Sequence, residues 1–340
     1  MDLKARIEIL LELRSKLNKD KKEFNRKCDE AYQYNNWFTR ENIDLAIDAV
    51  KSDFLDEAKL TEWIKKYKIN DIQSDKLVGL VMAGNIPLVG FHDLICVFIA
   101  GHNSRIKLSS KDEVLMNYIV GLIHDIEPET KEIIKLVERL GEANAVIATG
   151  SNNSYRYFDY YFGKIPNIIR KNRNSVAVLT GDESEFDLKM LAFDIQSFFG
   201  LGCRNISKIF VPHEYKFDML IESLNQKYEL RQHHKYMNNY DYNLAVSLMN
   251  KDEILQSENI ILKKASSYIS GIAMLNYEEY NNVDNLSQLL DTDREQLQLI
   301  SSLNGKITGL DIEFVFGQTQ HPQLWDYADG IDTMTFLTQL

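Results

Sequence analysis

A cysteine lies in a glycine-rich segment near the middle of the chain, at residues 200–205, which read Gly-Leu-Gly-Cys-Arg-Asn. The glycines allow a substrate carbonyl to approach the backbone closely. The neighbouring Arg204 and nearby backbone N–H groups favour the thiolate, which is the reactive form of cysteine. Cys203 is therefore a candidate nucleophile, with a buried structural cysteine as the alternative for this residue taken alone. Cys28 and Cys96 lie in helical segments and fit the structural interpretation.

Three further segments place polar groups where apolar strands end. Asn85, in Gly-Asn-Ile-Pro, follows one strand, where its amide could donate to an oxyanion or cap the next helix. Gly150 and Ser151 lie between a strand and a helix, a place where backbone N–H groups bind phosphate. Lys107 ends another strand, where its ammonium group could contact a ribose or phosphate, or remain an ordinary exposed lysine. All three segments fall where open α/β sheets bind ligands.

The elements that must position these residues alternate between strand and helix. Short apolar runs at 77–83 and 145–148 predict buried strands, and residues 104–108 predict another strand. Capping residues and early acids at 109–113 predict the start of a helix. A second α/β region begins near residue 174, with a strand at 175–179, a long helix to Phe199 and a strand at 208–211. Residues before about 75 predict helices. The pattern indicates βαβ units and parallel sheets.

Composition excludes several classes of protein. The chain has 39 basic and 50 acidic residues, a formal net charge of -11, which argues against a nucleic-acid partner. The sequence contains no run of about 18 uncharged apolar residues, so it predicts no membrane span. The three cysteines form neither a disulfide framework nor a metal motif, and His233 and His234 lack partners at metal-binding spacing. Acidic residues near the start argue against a signal peptide, so we expect a cytoplasmic protein without a metal.

Taken together and in order, the four segments resemble the aldehyde dehydrogenase superfamily, and within it the LuxC-type acyl-CoA reductases in a compact form. The resemblance covers residues 76–340 and is best over the continuous stretch 146–205. It implies an α/β fold with a Rossmann-type cofactor domain and an α/β catalytic domain. The implied division is a helical segment at 1–75 packed on the cofactor domain, an NADP(H)-binding domain at 76–173, a catalytic thiol domain at 174–318, and a tail at 319–340 that returns toward the cofactor domain.

The resemblance also assigns roles. Cys203 stands at the nucleophile's position, and Asn85 at that of the oxyanion asparagine, which acts with the nucleophile's own backbone N–H. Lys107 matches the lysine that contacts the adenosine ribose. Gly150 and Ser151 match the turn under the cofactor pyrophosphate.

Two departures from the family pattern indicate the reaction. Arg170 stands where aldehyde oxidisers carry a glutamate that activates water, so a thiol such as coenzyme A becomes the more plausible partner of the acyl-enzyme. Ser110 stands where NAD-type enzymes commonly carry an acid, and Lys111 follows it, which favours the 2′-phosphate of NADPH. Arg170, Lys171 and Arg204 are candidates to contact coenzyme A or cofactor phosphates, with a surface role as the alternative for the first two.

The expected function is therefore the NADPH-dependent reduction of a fatty acyl-CoA thioester to the aldehyde through an acyl-enzyme on Cys203. One alternative is a CoA-acylating aldehyde dehydrogenase that works in the oxidative direction. The other is a weakly catalytic subunit that docks a carrier protein. Expected partners are acyl-CoA or an acyl carrier protein, an acyl-activating or acyl-transfer protein, and further copies of the chain in a homo-oligomer.

Overall fold

The chain folds into two units. The structure is a computed structural model that describes residues 1–19 and 21–340, and of Asn152 it describes the backbone alone. The first unit contains residues 1–172 and 322–340, and the second contains residues 173–321. The division predicted from the sequence placed these boundaries at 173/174 and 318/319. Residues 319–321 lie in the second unit because the Thr319 N–H donates to Asp194 Oδ1 at 3.3 Å and the His321 ring stacks on Phe193.

The first unit begins with helices that share a core with a parallel sheet. The helices are α1 (Leu3–Lys19), α2 (Lys21–Tyr34), α3 (Arg40–Ala49), α4 (Glu57–Ile64), α5 (Phe91–Ala100), α6 (Glu113–Ile126), α7 (Thr130–Ile133) and α8 (Asn152–Phe162), with a π-helical turn at Val50–Phe54. The strands are β1 (Leu77–Val81), β2 (Asn103–Lys107), β3 (Ile134–Leu136), β4 (Ala145–Thr149) and β5 (Asn167–Arg170). Their order in the sheet is β3-β2-β1-β4-β5, and all neighbours are parallel.

Strand β1 and helix α5 form the centre of this unit because both are almost wholly apolar. Nine of the ten residues of α5 are buried, as are the three central residues of β1. The helix ends at Ala100. Its C-cap is Gly101, whose φ of +83° is left-handed and suits glycine. A Cβ there would also overlap the buried Arg6 guanidinium, so this position combines a turn with a close approach.

The second unit is built on a seven-stranded sheet. Its helices are α9 (Glu185–Gln196), α10 (Asp218–Asn225), α11 (Glu229–Gln232), α12 (His234–Asn250) and α13 (Val283–Thr292), with 3₁₀ turns at Ser197–Gly200 and Arg294–Gln296. The strands are β6 (Asn174–Val178), β7 (Ile206–Pro212), β8 (Ile254–Gln256), β9 (Ile261–Lys264), β10 (Met274–Tyr280), β11 (Leu297–Ser302) and β12 (Phe314–Val315). The order is β12-β11-β6-β7-β10-β9-β8, and only β8 and β9 pair antiparallel.

The tail then completes the first unit. A 3₁₀ turn at Ala328–Gly330 precedes α14 (Thr333–Thr338). Met334 and Leu337 are fully buried in the same core as β1 and α5. The His102 ring bonds the Leu337 carbonyl at 2.8 Å, and the His92 ring bonds the Leu324 carbonyl at 2.9 Å. These polar contacts fix the tail at both of its ends.

Candidate active site

The carboxyl ends of the first sheet's strands bring the segments of Asn85, Lys107, Gly150–Ser151 and Arg170 to one edge of this sheet. Val81 pairs in register with Lys107, and Thr149 pairs with Arg170. The chain runs outward from β1 to β2 and β3, and then returns to the other side of β1 with β4 and β5. The gap between β1 and β4 is therefore a topological switch point, where open α/β sheets bind ligands.

Asn85 lies in the loop that follows β1, on one side of this switch point. Helix α5 begins only at Phe91, with Gly90 at its N-cap, so the interpretation of Asn85 as a helix cap is wrong. Gly84 lies so close to Ser109 that a Cβ would come within 2.6 Å of its hydroxyl. The loop therefore packs directly against the segment that follows Lys107, with the Asn85 side chain half-buried.

A buried carboxyl group holds this loop in place. Asp112 Oδ2 accepts a hydrogen bond of 2.7 Å from the N–H of Leu88, whose φ of +58° is left-handed. Burial raises the pKa of Asp112 well above its usual range. Asp112 occupies the N-cap of α6, but its side chain makes no capping bond. Sequence reasoning missed its contact with Leu88, 24 residues away.

Gly150 and Ser151 lie on the other side of the switch point. Ser151 caps α8, its Oγ accepting from the Ser154 N–H at 3.3 Å. A Cβ on Gly150 would come within 2.8 Å of Phe158 and 2.9 Å of Ser154, so glycine permits the helix to pack tightly on its strand. This helix start presents backbone N–H groups where a dinucleotide pyrophosphate would bind, and the residues present fit that group.

Lys107 lines a cleft of about 410 Å³ at the end of β2. Glu113 and Asn117 of α6 and Glu138, which follows β3, line the same cleft. Ser110 and Lys111 instead line a much smaller pocket against the N-terminal helices. Lys107 thus lies with two carboxylates that sequence reasoning had not considered. Ser110 and Lys111 line a neighbouring pocket, and Glu113 lines both.

Arg170 is buried inside the first unit. Its Nη1 donates to Asp93 Oδ2 at 2.6 Å and to Thr149 Oγ1 at 3.4 Å, and its Nη2 donates to Thr333 Oγ1 at 3.0 Å. The surface role considered for Arg170 is therefore wrong, and these contacts oppose the expected contact with coenzyme A. Lys171 is exposed, with its Nζ 4.2 Å from the centroid of the Tyr155 ring.

In the second unit, Cys203 follows a short left-handed segment. Helix α9 ends at Gln196, earlier than the predicted Phe199, because Phe198 and Phe199 have φ values of +51° and +58°. Gly200 continues the left-handed segment with a φ of +72°. This backbone costs a non-glycine residue about 1–2 kcal/mol, so it persists only where other contacts impose it. Burial of both phenylalanine rings is one such contact.

The backbone on either side of Cys203 is held by hydrogen bonds within the second unit. The Asn205 N–H donates to the Gly202 carbonyl at 3.1 Å, which closes a turn with Cys203 and Arg204 at its centre. The buried Ser175 hydroxyl donates to the Cys203 carbonyl at 2.8 Å. The Arg204 guanidinium carbon lies 5.4 Å from the centroid of the Phe314 ring.

The three cysteines differ in how far solvent can reach them. Cys203 is half-buried, whereas Cys28 and Cys96 are buried. Burial raises the pKa of Cys28 to about 11 and that of Cys96 well above its usual range, so both remain thiols at neutral pH. Cys203 is therefore the most solvent-accessible of the three cysteines.

Within residues 1–19 and 21–340, no group of three or more histidine, cysteine, aspartate or glutamate residues could hold a metal ion. No helix of the described chain is long and apolar enough to cross a membrane.

Comparison with known proteins identifies the fold. No protein-family model matches the chain, and no curated protein matches it. Solved structures of aldehyde dehydrogenases do match. Aldehyde dehydrogenase 21 from Physcomitrella patens, in complex with the reaction product succinate, matches with a TM-score of 0.71 and 11% identity, over 100% of this chain and 84% of that chain.

Two further structures agree. A mutant of the indole-3-acetaldehyde dehydrogenase AldA from P. syringae, in complex with NAD+ and IAA, gives a TM-score of 0.68 and 12% identity over 91% of this chain and 74% of that one. An aldehyde dehydrogenase from Mycobacterium tuberculosis, complexed with NAD+, gives a TM-score of 0.66 and 12% identity over 93% of this chain and 77% of that one. The chain is therefore similar in fold to aldehyde dehydrogenases, which confirms the α/β fold expected from the sequence.

Proposed function

We propose that the protein reduces a fatty acyl-CoA thioester to the aldehyde with NADPH, through an acyl-enzyme on Cys203. The observation that carries this proposal is the state of the three thiols. Cys203 is half-buried in a turn whose backbone is held on both sides, whereas Cys28 and Cys96 are buried. A held backbone and a reachable sulfur are what a nucleophile needs.

In the proposed reaction the Cys203 thiolate attacks the carbonyl carbon of the thioester. The Asn85 amide and the Cys203 backbone N–H stabilise the oxyanion. The carbon–sulfur bond to coenzyme A then breaks, and the departing thiolate takes up a proton from solvent. This step leaves the acyl group on Cys203 as a thioester, with no change in oxidation state.

NADPH, when bound, supplies a hydride to the acyl carbon. Lys107, Gly150 and Ser151 would hold the cofactor, with Ser110 and Lys111 toward its 2′-phosphate. The thiohemiacetal oxyanion on Cys203 then re-forms its carbonyl, the bond to the Cys203 sulfur breaks, and the aldehyde leaves. The acyl carbon has gained two electrons, and the thiolate is regenerated.

The position of Arg170 supports a thiol rather than water as the partner of the acyl-enzyme. Where an aldehyde oxidiser would carry a water-activating glutamate, this chain has a guanidinium that is paired with Asp93. A guanidinium cannot accept a proton from water at neutral pH, so hydrolysis of the acyl-enzyme lacks a base at this position.

The acidic side chains beside Lys107 favour NADH as a second candidate for the cofactor. Glu113 and Glu138 line the same cleft as Lys107 and would repel a 2′-phosphate. A carboxylate in such a cleft can instead accept hydrogen bonds from ribose hydroxyl groups. Lys107 alone does not discriminate between the two cofactors.

A panel of acyl-CoA substrates with NADPH or NADH tests the proposal. We expect loss of the reduced-cofactor absorbance with long-chain acyl-CoA, and no loss in the Cys203→Ser variant. Cys28→Ser should retain the wild-type rate, because Cys28 is buried in the first unit. If, at physiological cofactor ratios, the protein consumes aldehyde, coenzyme A and oxidised cofactor faster than it reduces acyl-CoA, the oxidative alternative is supported. If the protein converts no acyl-CoA in either direction but binds a carrier protein, the docking alternative is supported.

A further inference from the structure

Asn205 lies two residues after Cys203 and is 3% exposed. Its Nδ2 donates to the Asp194 carbonyl at 2.9 Å and to the Ser197 carbonyl at 2.8 Å. Its Oδ1 accepts from the Gly202 N–H at 2.8 Å. The side-chain amide thus joins the end of α9 to the residue directly before Cys203.

We infer that Asn205 is a positioning residue that fixes the Cys203 sulfur for attack, an inference that rests on the function proposed above. The left-handed segment and the turn of Gly202 to Asn205 lie between α9 and β7, outside the longer helices and strands of the unit. The three bonds of the Asn205 amide connect both ends of this stretch. The Cys203 carbonyl is tied from the opposite direction by Ser175.

The bonds described for the Asn205 amide are all to backbone groups of the second unit, so it has a role distinct from that of a substrate-binding group. Without the amide, the buried Asp194 and Ser197 carbonyls and the Gly202 N–H would lose a partner each. The backbone would then shift to find other partners, and the Cys203 sulfur would shift with it. A misplacement of about 1 Å can reduce a reaction rate about 100-fold.

The matched control is Asn259, which lies in the same unit and is also fully buried. Its Nδ2 donates to the Leu224 carbonyl at 2.7 Å and to the Lys227 carbonyl at 3.0 Å. These carbonyls belong to the last turn of α10 and to the segment that follows it, rather than to the turn that carries Cys203. Asn259→Ala therefore reproduces the loss of a buried amide without releasing that turn.

Two readouts test the inference. The first is the single-turnover rate of Cys203 acylation by acyl-CoA, together with kcat and KM. We expect Asn205→Ala to lower the acylation rate and kcat about 100-fold with little change in KM. Asn259→Ala should lower the melting temperature comparably and leave the acylation rate near that of the wild type. Equal acylation rates in the two variants would overturn the inference.

The second readout does not depend on the proposed function. The rate of alkylation of Cys203 by iodoacetamide, assigned by mass spectrometry and measured across pH, reports the surroundings of the sulfur directly. Asn205→Ala should shift this pH profile, and Asn259→Ala should not. If the wild type forms no acyl adduct but the profile shifts as expected, the proposed function fails and the positioning role of Asn205 stands.

Asn205→Ser covers the case in which the alanine variant does not fold. Its shorter side chain keeps one hydrogen-bonding group at this position, one bond closer to the backbone than the amide atoms of asparagine. The serine variant should show an intermediate acylation rate, about tenfold below that of the wild type, and a smaller shift of the alkylation profile. A serine variant with the wild-type rate and the wild-type profile would show that the amide does not position Cys203.

Discussion

At the scale of single residues, Arg170 and Asp93 depend on each other inside the first unit. Both side chains are largely buried, and their charged atoms lie 2.6 Å apart. Removing one member of a buried ion pair leaves the other charge without compensation, at a cost of about 3–5 kcal/mol. We therefore expect Arg170→Ala to lower the free energy of unfolding by about that amount, as measured by urea denaturation.

Arg26 provides the control for this prediction. It pairs with Glu23 on the surface of α2, where solvent screens the charges, and Arg26→Ala should change the stability little. The double variant Arg170→Met with Asp93→Leu should recover much of the lost stability because no unpaired charge remains. A loss in Arg170→Ala no larger than that in Arg26→Ala would contradict the buried pair.

Single residues also show what can be predicted from sequence. Cys203, Asn85 and Gly150 stand out because their neighbours alone mark a turn at a strand or helix end. The partner of Arg170 could not be predicted, because Asp93 is 77 residues away. Glu138 likewise joins the cleft of Lys107 only because β3 lies next to β2.

At the scale of elements, Asp112 couples the loop after β1 to the start of α6, and this coupling depends on pH. Because its folded pKa is raised, the folded state keeps a proton that the unfolded state releases above about pH 4. The contribution of Asp112 to stability therefore falls as pH rises from about 4 toward the raised pKa.

Asp112→Asn tests this coupling, because asparagine resembles the protonated acid and can still accept from the Leu88 N–H. We expect the stability of the variant relative to the wild type to increase with pH, as measured by denaturation at several pH values. The control Asp29→Asn changes an exposed carboxylate in α2 and should leave the pH dependence unchanged. A constant difference between Asp112→Asn and the wild type at all pH values would contradict the raised pKa.

The strands were easier to predict than the ends of the helices. Strands β1, β4 and β6 lie within two residues of their predicted ends, because buried parallel strands appear as short apolar runs. The end of α9 was predicted wrongly. Residues 197–200 have a helical sequence pattern, but the contacts of Asn205 and of the buried phenylalanine rings impose another backbone there.

At the scale of the whole molecule, the tail contributes to the first unit through Tyr327. The Tyr327 hydroxyl accepts from Trp63 Nε1 at 2.7 Å and lies 2.7 Å from the Tyr67 hydroxyl. Tyr327→Phe removes this shared partner and should cost about 1–3 kcal/mol, because a buried indole N–H loses its acceptor. Hydrogen exchange should become faster within residues 1–172 and 322–340, and remain unchanged within 173–321.

Tyr157→Phe is the control, because the Tyr157 side chain is exposed on α8. Faster exchange throughout both units in Tyr327→Phe would contradict a local role of the tail. The contact between the tail and Trp63 joins residues 264 positions apart, and no local sequence pattern encodes it. Fold class, by contrast, can be predicted from the sequence, because the alternation of strands and helices along the chain is itself a local pattern.

Trapping the acyl-enzyme shows whether Cys203 is the nucleophile. The protein is incubated with radiolabelled acyl-CoA in the absence of reduced cofactor, and the label is located by peptide mapping. We predict about one label per chain on the peptide that contains Cys203, release of coenzyme A in equal amount, and loss of the label as aldehyde when NADPH is added. A labelled Cys203→Ser variant, or an unlabelled wild type that still consumes acyl-CoA and NADPH, would contradict the account.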